Sequence, residues 1–221
     1  MKVAILVDGG FYRKRARCLF GDKSPDDRCN ELIKYCRRHL RSEHNCQKEL
    51  YRLFYYDCPP SEKNVWSPVT QKTQDLRKTE QYQWSKDFFE FLIKKRKVAL
   101  RLGELLDVDS GYILRQESLK KLIRKEISVD DLTDNDFALK LTQKGIDTRI
   151  SLDISSLAYK KLVDQIILIA GDSDFVPAAK HARREGIDFI LDPMWHPIKE
   201  SLSEHIDGMY TCVAKPPANV N

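Results

Sequence analysis

The sequence predicts an α/β fold in which a central, mostly parallel sheet carries helices on both faces. Two short, continuous apolar runs, Val3–Val7 (VAILV) and Ile166–Ala170 (IILIA), have the character of strands buried on both sides. Strand-like runs alternate with amphipathic helical segments, the pattern of βαβ crossovers. Acids follow directly: Asp8 after the first run, Asp172 and Asp174 after the second. The carboxyl ends of parallel strands are where open α/β sheets place their sites.

In chain order, Val3–Val7 is the first strand, and Gly9-Gly10 is expected to break it. Ser24-Pro25-Asp26 opens a helix to about Ser42, with proline in the first turn and acids behind it. Tyr51–Tyr56 (YRLFYY) is a second, aromatic-rich strand ended by Cys58-Pro59-Pro60. Residues 61–96 are rich in helix formers, and Trp84, Phe88, Phe91 and Leu92 recur at helical spacing, a face that packs on a sheet. Val98–Leu102 is a third strand. The stretch 107–140 is mixed and charged; its DDLTDND reads as a loop or a helix start.

From Asp147 to Lys161 the apolar positions Ile150, Ile154, Leu157 and Ala158 fall on one helical face. Ile166–Ala170 is the most apolar strand. Pro177–Glu185 is a short helix stopped by Gly186, Phe189–Leu191 the next strand and Ile198–Ile206 a last helix. These elements make one domain over 1–214, with a helical elaboration at about 61–140 and a frayed tail at 215–221.

The 221 residues suffice for a sizeable core, and 32% charged residues mark a water-soluble chain. No run is long enough to span a bilayer, and the N-terminus lacks a secretory h-region, so the expected location is cytoplasmic. The net charge of +5 is gathered in clusters such as Arg13/Lys14/Arg15/Arg17 and Lys120/Lys121/Arg124/Lys125. Such clusters attract a phosphate backbone, although each also reads as a solvated helix face. The six cysteines show no C-x-x-C pair, and His44 and Cys46 have no second pair to complete a zinc site. Cys29 and Cys36 share a helical face with Leu32, Ile33 and Leu40 and are expected in the core.

Chemistry points to the acids. In Gly171-Asp172-Ser173-Asp174-Phe175 a strand runs into a glycine turn, then two carboxylates precede a helix. One side chain suffices to cap a helix; the second acid is surplus and favours a metal. Asp8 gains meaning from this pair, because strands one and four of such a sheet are neighbours. Asp147 and Asp153, about 9 Å apart along a helix, do not share one ion, and Asp147 is also a candidate helix cap. An all-oxygen carboxylate set suits Mg²⁺ or Mn²⁺, which implies an enzyme acting on a phosphate ester, foremost RNA.

Six blocks carry a family resemblance in order: MKVAILVDGGFY, YRLFYYDCPP, VALRLGEL, QKGIDTRISLDISSLA, IILIAGDSDFVPAAKHARREG and SLSEHIDGMY. Together they resemble the NYN domain family, in its LabA-like branch of the PIN-like nucleases. The resemblance implies a Rossmann-like three-layer α/β/α sandwich and a metal-dependent ribonuclease whose acids match Asp8, Asp147, Asp153, Asp172 and Asp174. Ser173 matches the family's Ser or Thr within the G-D-S-D-F block. Gly10 stands where some relatives carry Asn, and 61–140 is the least similar stretch.

On this reading Asp8, Asp147, Asp172 and Asp174 are the metal ligands, with Asp153 a second candidate beside Asp147. Ser173, Lys144 and Arg13 are expected to contact phosphate. The expected partner is single-stranded RNA, and exposed residues of 61–140 leave a homo-oligomer open. A catalytically inactive RNA-binding module on the same fold is the alternative. A phosphatase forming an aspartyl-phosphate would place a second acid at Gly10.

Overall fold

The computed structural model describes residues 1–41, 47–105 and 111–216. The His44/Cys46 pair and most of the expected tail lie outside them.

The first strand, β1 (Lys2–Asp8), runs directly into α1 (Gly9–Phe20). The strand ends before Gly9-Gly10 as expected, but a helix that the sequence reading did not expect starts at once: Asp8 caps it, its Oδ1 accepting the Phe11 N–H at 3.1 Å. A good cap outweighs the poor helix propensity of two glycines in the first turn. The second helix, α2 (Pro25–Arg38), is capped by Ser24, with Pro25 in its first turn as expected. It leads to β2 (Glu49–Asp57).

Next come β3 (Asn64–Ser67), β4 (Lys72–Asp75), α3 (Glu80–Ile93), β5 (Val98–Leu102), β6 (Glu104–Leu105), β7 (Gly111–Leu114) and α4 (Gln116–Ile123). After β8 (Phe137–Lys140) and β9 (Gln143–Lys144) the chain enters α5 (Ile146–Tyr159), β10 (Gln165–Ile169), α6 (Val176–Arg184) and β11 (Asp188–Asp192). The last elements are α7 (Glu200–Ser203) and β12 (Gly208–Met209). The helix expected over Ile198–Ile206 is thus a single turn. Asp207 draws the chain to the sheet edge instead: its carboxylate accepts from the Phe189 N–H and Arg183 Nε, both at 2.8 Å, and its own N–H bonds Phe189 O.

Contacts divide the chain into two compact units. The first comprises Met1–Cys58, Asp87–Gly103 and Gly145–Asn221. It holds a six-stranded sheet in the order β12-β11-β10-β1-β2-β5, every pair parallel. The strand order reverses between β1 and β10, which pair from Val3↔Gln165 to Val7↔Ile169. On one face, Ala4, Leu6, Ile166, Leu168 and Phe189 pack against Ile150, Ile154 and Ala158 of α5 and Ala178, Ala179 and Ala182 of α6. The alternate strand residues Val3, Ile5, Val7 and Tyr55 are equally buried and face the other way. There Tyr55 meets Phe88 of α3 edge-on, and Tyr12 of α1 contacts Tyr35 of α2. Cys29 and Cys36 of α2 are core residues, as expected. The result is a Rossmann-like α/β/α arrangement.

The second unit comprises Pro59–Lys86 and Glu104–Lys144. Its character is not wholly helical, contrary to the reading of 61–140. Two antiparallel hairpins, β3–β4 and β7–β8, accompany α4 and the short β6–β9 pair. The DDLTDND stretch forms two single-turn caps: Asp131 accepts the Ser128 N–H at 2.8 Å and Asp136 the Thr133 N–H at 2.9 Å. Asp and Thr at these spacings satisfy local backbone donors more readily than they continue a helix.

Candidate active site

The sheet's switch point lies at the carboxyl ends of β1 and β10, where adjacent crossovers leave to opposite faces and open a crevice. Asp8 closes β1 there. One of its oxygens caps α1, so it stands at the N-terminal end of that helix. Burial pushes its carboxyl up from the ordinary 3.8 to about 6, and the charges of Asp147 and Asp57 push in the same direction. Hydrogen bonds from the Phe11 and Gly10 N–H groups work against them.

Beyond β10, Gly171 lets the chain pass where no side chain fits: a Cβ would lie 2.5 Å from Phe11 Cε2 and 3.0 Å from His196 Cδ2. Asp172 then caps a single 3₁₀ turn, Ser173–Phe175, accepting the Asp174 N–H at 3.1 Å. Fully buried Phe175 anchors that turn, leaving Asp172 and Asp174 exposed. The double-acid segment therefore contains a cap and a carboxylate not needed for capping, as the sequence argument required.

Asp147 sits in the first turn of α5, one residue in from the start. It is not the cap: that position belongs to Gly145, in the left-handed region at φ 84°. Burial raises the Asp147 carboxyl, as do Asp172 and Asp174. Asp147 is thus the electrostatic link between Asp8 on one side and the Asp172/Asp174 pair on the other. Among the described residues no cation is paired with any of these four acids.

Asp153 is engaged elsewhere. Its Oδ2 accepts from Tyr56 Oη at 2.7 Å and Arg101 Nε at 3.2 Å, an ion pair on the α5 side of the sheet. Arg13 is likewise committed, its Nη2 lying 2.9 Å from Asp57 Oδ1. Ser173 Oγ accepts from Lys199 Nζ at 3.1 Å. Lys144 is an exposed residue of β9, opposite Glu104 in the second unit.

Two residues here were not singled out from the sequence. Asp57 ends β2, is fully buried, and is held by Arg13, the Cys58 N–H at 2.8 Å and Tyr55 Oη at 3.4 Å. Burial still leaves its carboxyl raised. The signal that marked Asp8, an acid directly after an apolar strand, was present in YRLFYYD. Lys199 had no such signal: it reaches Ser173 only because the segment around α7 packs on the 3₁₀ turn.

The donor set, four carboxylates with no soft atom among them, fits a hard divalent cation. Burial first, and neighbouring carboxylates second, raise Asp8 and Asp147, and a bound cation would relieve both effects.

The model of the NYN domain matches residues 2–206. No curated protein matches the chain. Among solved structures it is similar to a protein of unknown function, VPA0982, from Vibrio parahaemolyticus, at 17% identity, with 94% of this chain and 90% of that chain covered and a TM-score of 0.44. The family match spans nearly the whole chain and includes every acid of the crevice, so the chain belongs to the NYN domain family, a PIN-like nuclease domain.

Proposed function

We propose that this protein is a divalent-metal-dependent ribonuclease of the LabA-like branch, hydrolysing phosphodiester bonds of single-stranded RNA in the cytoplasm. The observation that carries the reading is the placement of the acids: Asp8 ends β1, Asp172 and Asp174 follow its parallel neighbour β10, and Asp147 in the first turn of α5 lies near enough to feel the charge of that pair. The LabA-like placement rests on the six ordered sequence blocks. No helix among the described residues is long and apolar enough to cross a membrane.

Asp8, Asp147, Asp172 and Asp174 would hold Mg²⁺ or Mn²⁺. When bound, such an ion neutralises charge on the scissile phosphate and lowers the pKa of a coordinated water. The chain's own residues set the geometry. Asp8 is fixed by its cap bond, and Asp172 by its bond to the Asp174 N–H. Asp174 makes no hydrogen bond among the described residues through its carboxylate, which leaves it free to orient the attacking water. Ser173 and Lys199 together offer a hydroxyl and an ammonium to a phosphate oxygen. Arg13 supports the site indirectly by holding Asp57 behind Asp8, and Asp153 braces Tyr56 and Arg101. A homo-oligomer is compatible with this reading.

The test is cleavage of a single-stranded RNA oligonucleotide by the full chain with Mn²⁺, alongside the Asp172→Asn variant. Loss of a mere partner of a metal ligand costs about 10–100-fold, so loss of a ligand's charge is expected to cost more than about 100-fold. Wild-type protein that binds RNA without cutting it under Mg²⁺ or Mn²⁺ would overturn the enzyme reading in favour of an RNA-binding module.

A further inference from the structure

We propose that the first unit holds a second, chemically different metal site, a zinc site formed by His39, Asp192 and Cys212. His39 caps the C-terminal end of α2, Asp192 is the last residue of β11, and Cys212 lies in the segment after β12. Their ligating atoms all fall within 4.8 Å of one another. The His39 and Asp192 side chains are 1% and 0% exposed.

Asp192 is oriented from every side. Its Oδ2 accepts from Tyr35 Oη at 2.6 Å and meets His39 Nε2 at 2.8 Å. Its Oδ1 accepts from the Met194 N–H at 2.8 Å and Thr211 Oγ1 at 2.7 Å. The His39 ring is fixed by edge contacts with Tyr35 and Tyr210, each at 5.7 Å between centroids. A hydrogen-bonded network accounts for Asp192, His39, Tyr35 and Thr211. The same cup also holds a thiol: Cys212 Sγ donates to Tyr35 O at 3.6 Å and lies within reach of the His39 and Asp192 ligating atoms.

One imidazole nitrogen, one carboxylate oxygen and one sulfur form a borderline-soft set, which suits Zn²⁺ and disfavours Mg²⁺. Zinc in this position would bind Nε2 of a neutral His39 imidazole that carries its proton on Nδ1, and would displace the thiol proton of Cys212 to solvent. Tyr35, Thr211 and the Met194 N–H would remain as outer partners that orient the carboxylate. Cys36, one helical turn before His39, is a buried thiol beside the cup. The ion would tie α2 to the end of β11 and the C-terminal segment, which follow α2 by more than 150 residues of chain.

The test uses the full chain. Protein purified from zinc-supplemented cells and desalted is expected to carry about one zinc per chain by elemental analysis, held by three largely buried protein ligands. After zinc removal, added Co²⁺ is expected to give a sulfur-to-cobalt charge-transfer band in the near ultraviolet. That band should be lost in Cys212→Ser and kept in Asp172→Asn, because the acid crevice contains no sulfur. The wild-type spectrum needs no variant, so a misfolded Cys212→Ser would not blunt the result. Wild-type protein with neither retained zinc nor the band, or a Cys212→Ser protein with both, would overturn the proposal and leave the cluster a hydrogen-bonded network. Neither result bears on RNA cleavage.

Discussion

Asp8 carries opposing demands. It caps α1, which favours its ionised form, yet burial and its acidic neighbours lift it to about 6. In the metal-free protein the folded chain therefore keeps this proton over a range where the unfolded chain, at about 3.9, has released it. Stability from this group falls as pH rises from about 4 through about 6, and the full penalty, on the order of 2–3 kcal/mol, persists above. Asp8→Asn retains a capping side chain and removes the charge. It is expected to melt higher than wild type at pH 8 and alike at pH 4, as thermal denaturation in chelator would read. Arg13 presents the converse case. Removing it leaves the buried Asp57 unpaired, so Arg13→Ala is expected to lose about 3 kcal/mol in urea denaturation. Asp57→Asn in the same chain should restore part of that loss.

At the scale of elements, two adjacent glycines make opposite contributions. A Cβ on Gly9 would lie 2.6 Å from Tyr56 O, 2.7 Å from Asp57 Oδ2 and 2.7 Å from Tyr55 Cε1, so α1 starts where it does only because nothing projects toward the end of β2. Gly9→Ala is expected to destabilise by about 1–3 kcal/mol through overpacking and to shift Asp8 and Asp57 apart. A Cβ on Gly10 meets only Asp8 Oδ1, at an ordinary 3.5 Å. Gly10→Ala is expected to be neutral or to stabilise by up to about 1 kcal/mol through helix propensity. Chemical denaturation of the two variants side by side checks both outcomes. The same junction shows why α1 escaped the sequence reading. Gly9-Gly10 looks like punctuation by propensity, and the cap that overrides it depends on Asp8, which served there as a strand terminator and candidate ligand. The opposite error occurred at Ile198–Ile206, where an apolar pattern suited a helix but Asp207 was bound by β11 and α6 residues distant in sequence.

For the whole molecule, the proposed metal site implies that the folded state binds divalent cations better than the unfolded chain does. Mg²⁺ or Mn²⁺ at about 100 times its dissociation constant is expected to add about 2.7 kcal/mol of stability, seen as a rise in melting temperature that Asp172→Asn largely abolishes. By itself the sequence determined the apolar strands, the α/β class, the core cysteines of α2 and the acids that follow β1 and β10, because hydrophobic period and strand-end chemistry are written in neighbouring residues. The expected neighbourhood of β1 and β10 is realised. Tertiary structure decided that Asp147 stands near their acids, that Asp57 ends β2 beside Asp8, and that Asp153 turns away to Tyr56 and Arg101. Those outcomes depend on which distant elements pack together and on which partner reaches a carboxylate first, and no local pattern of residues encodes either.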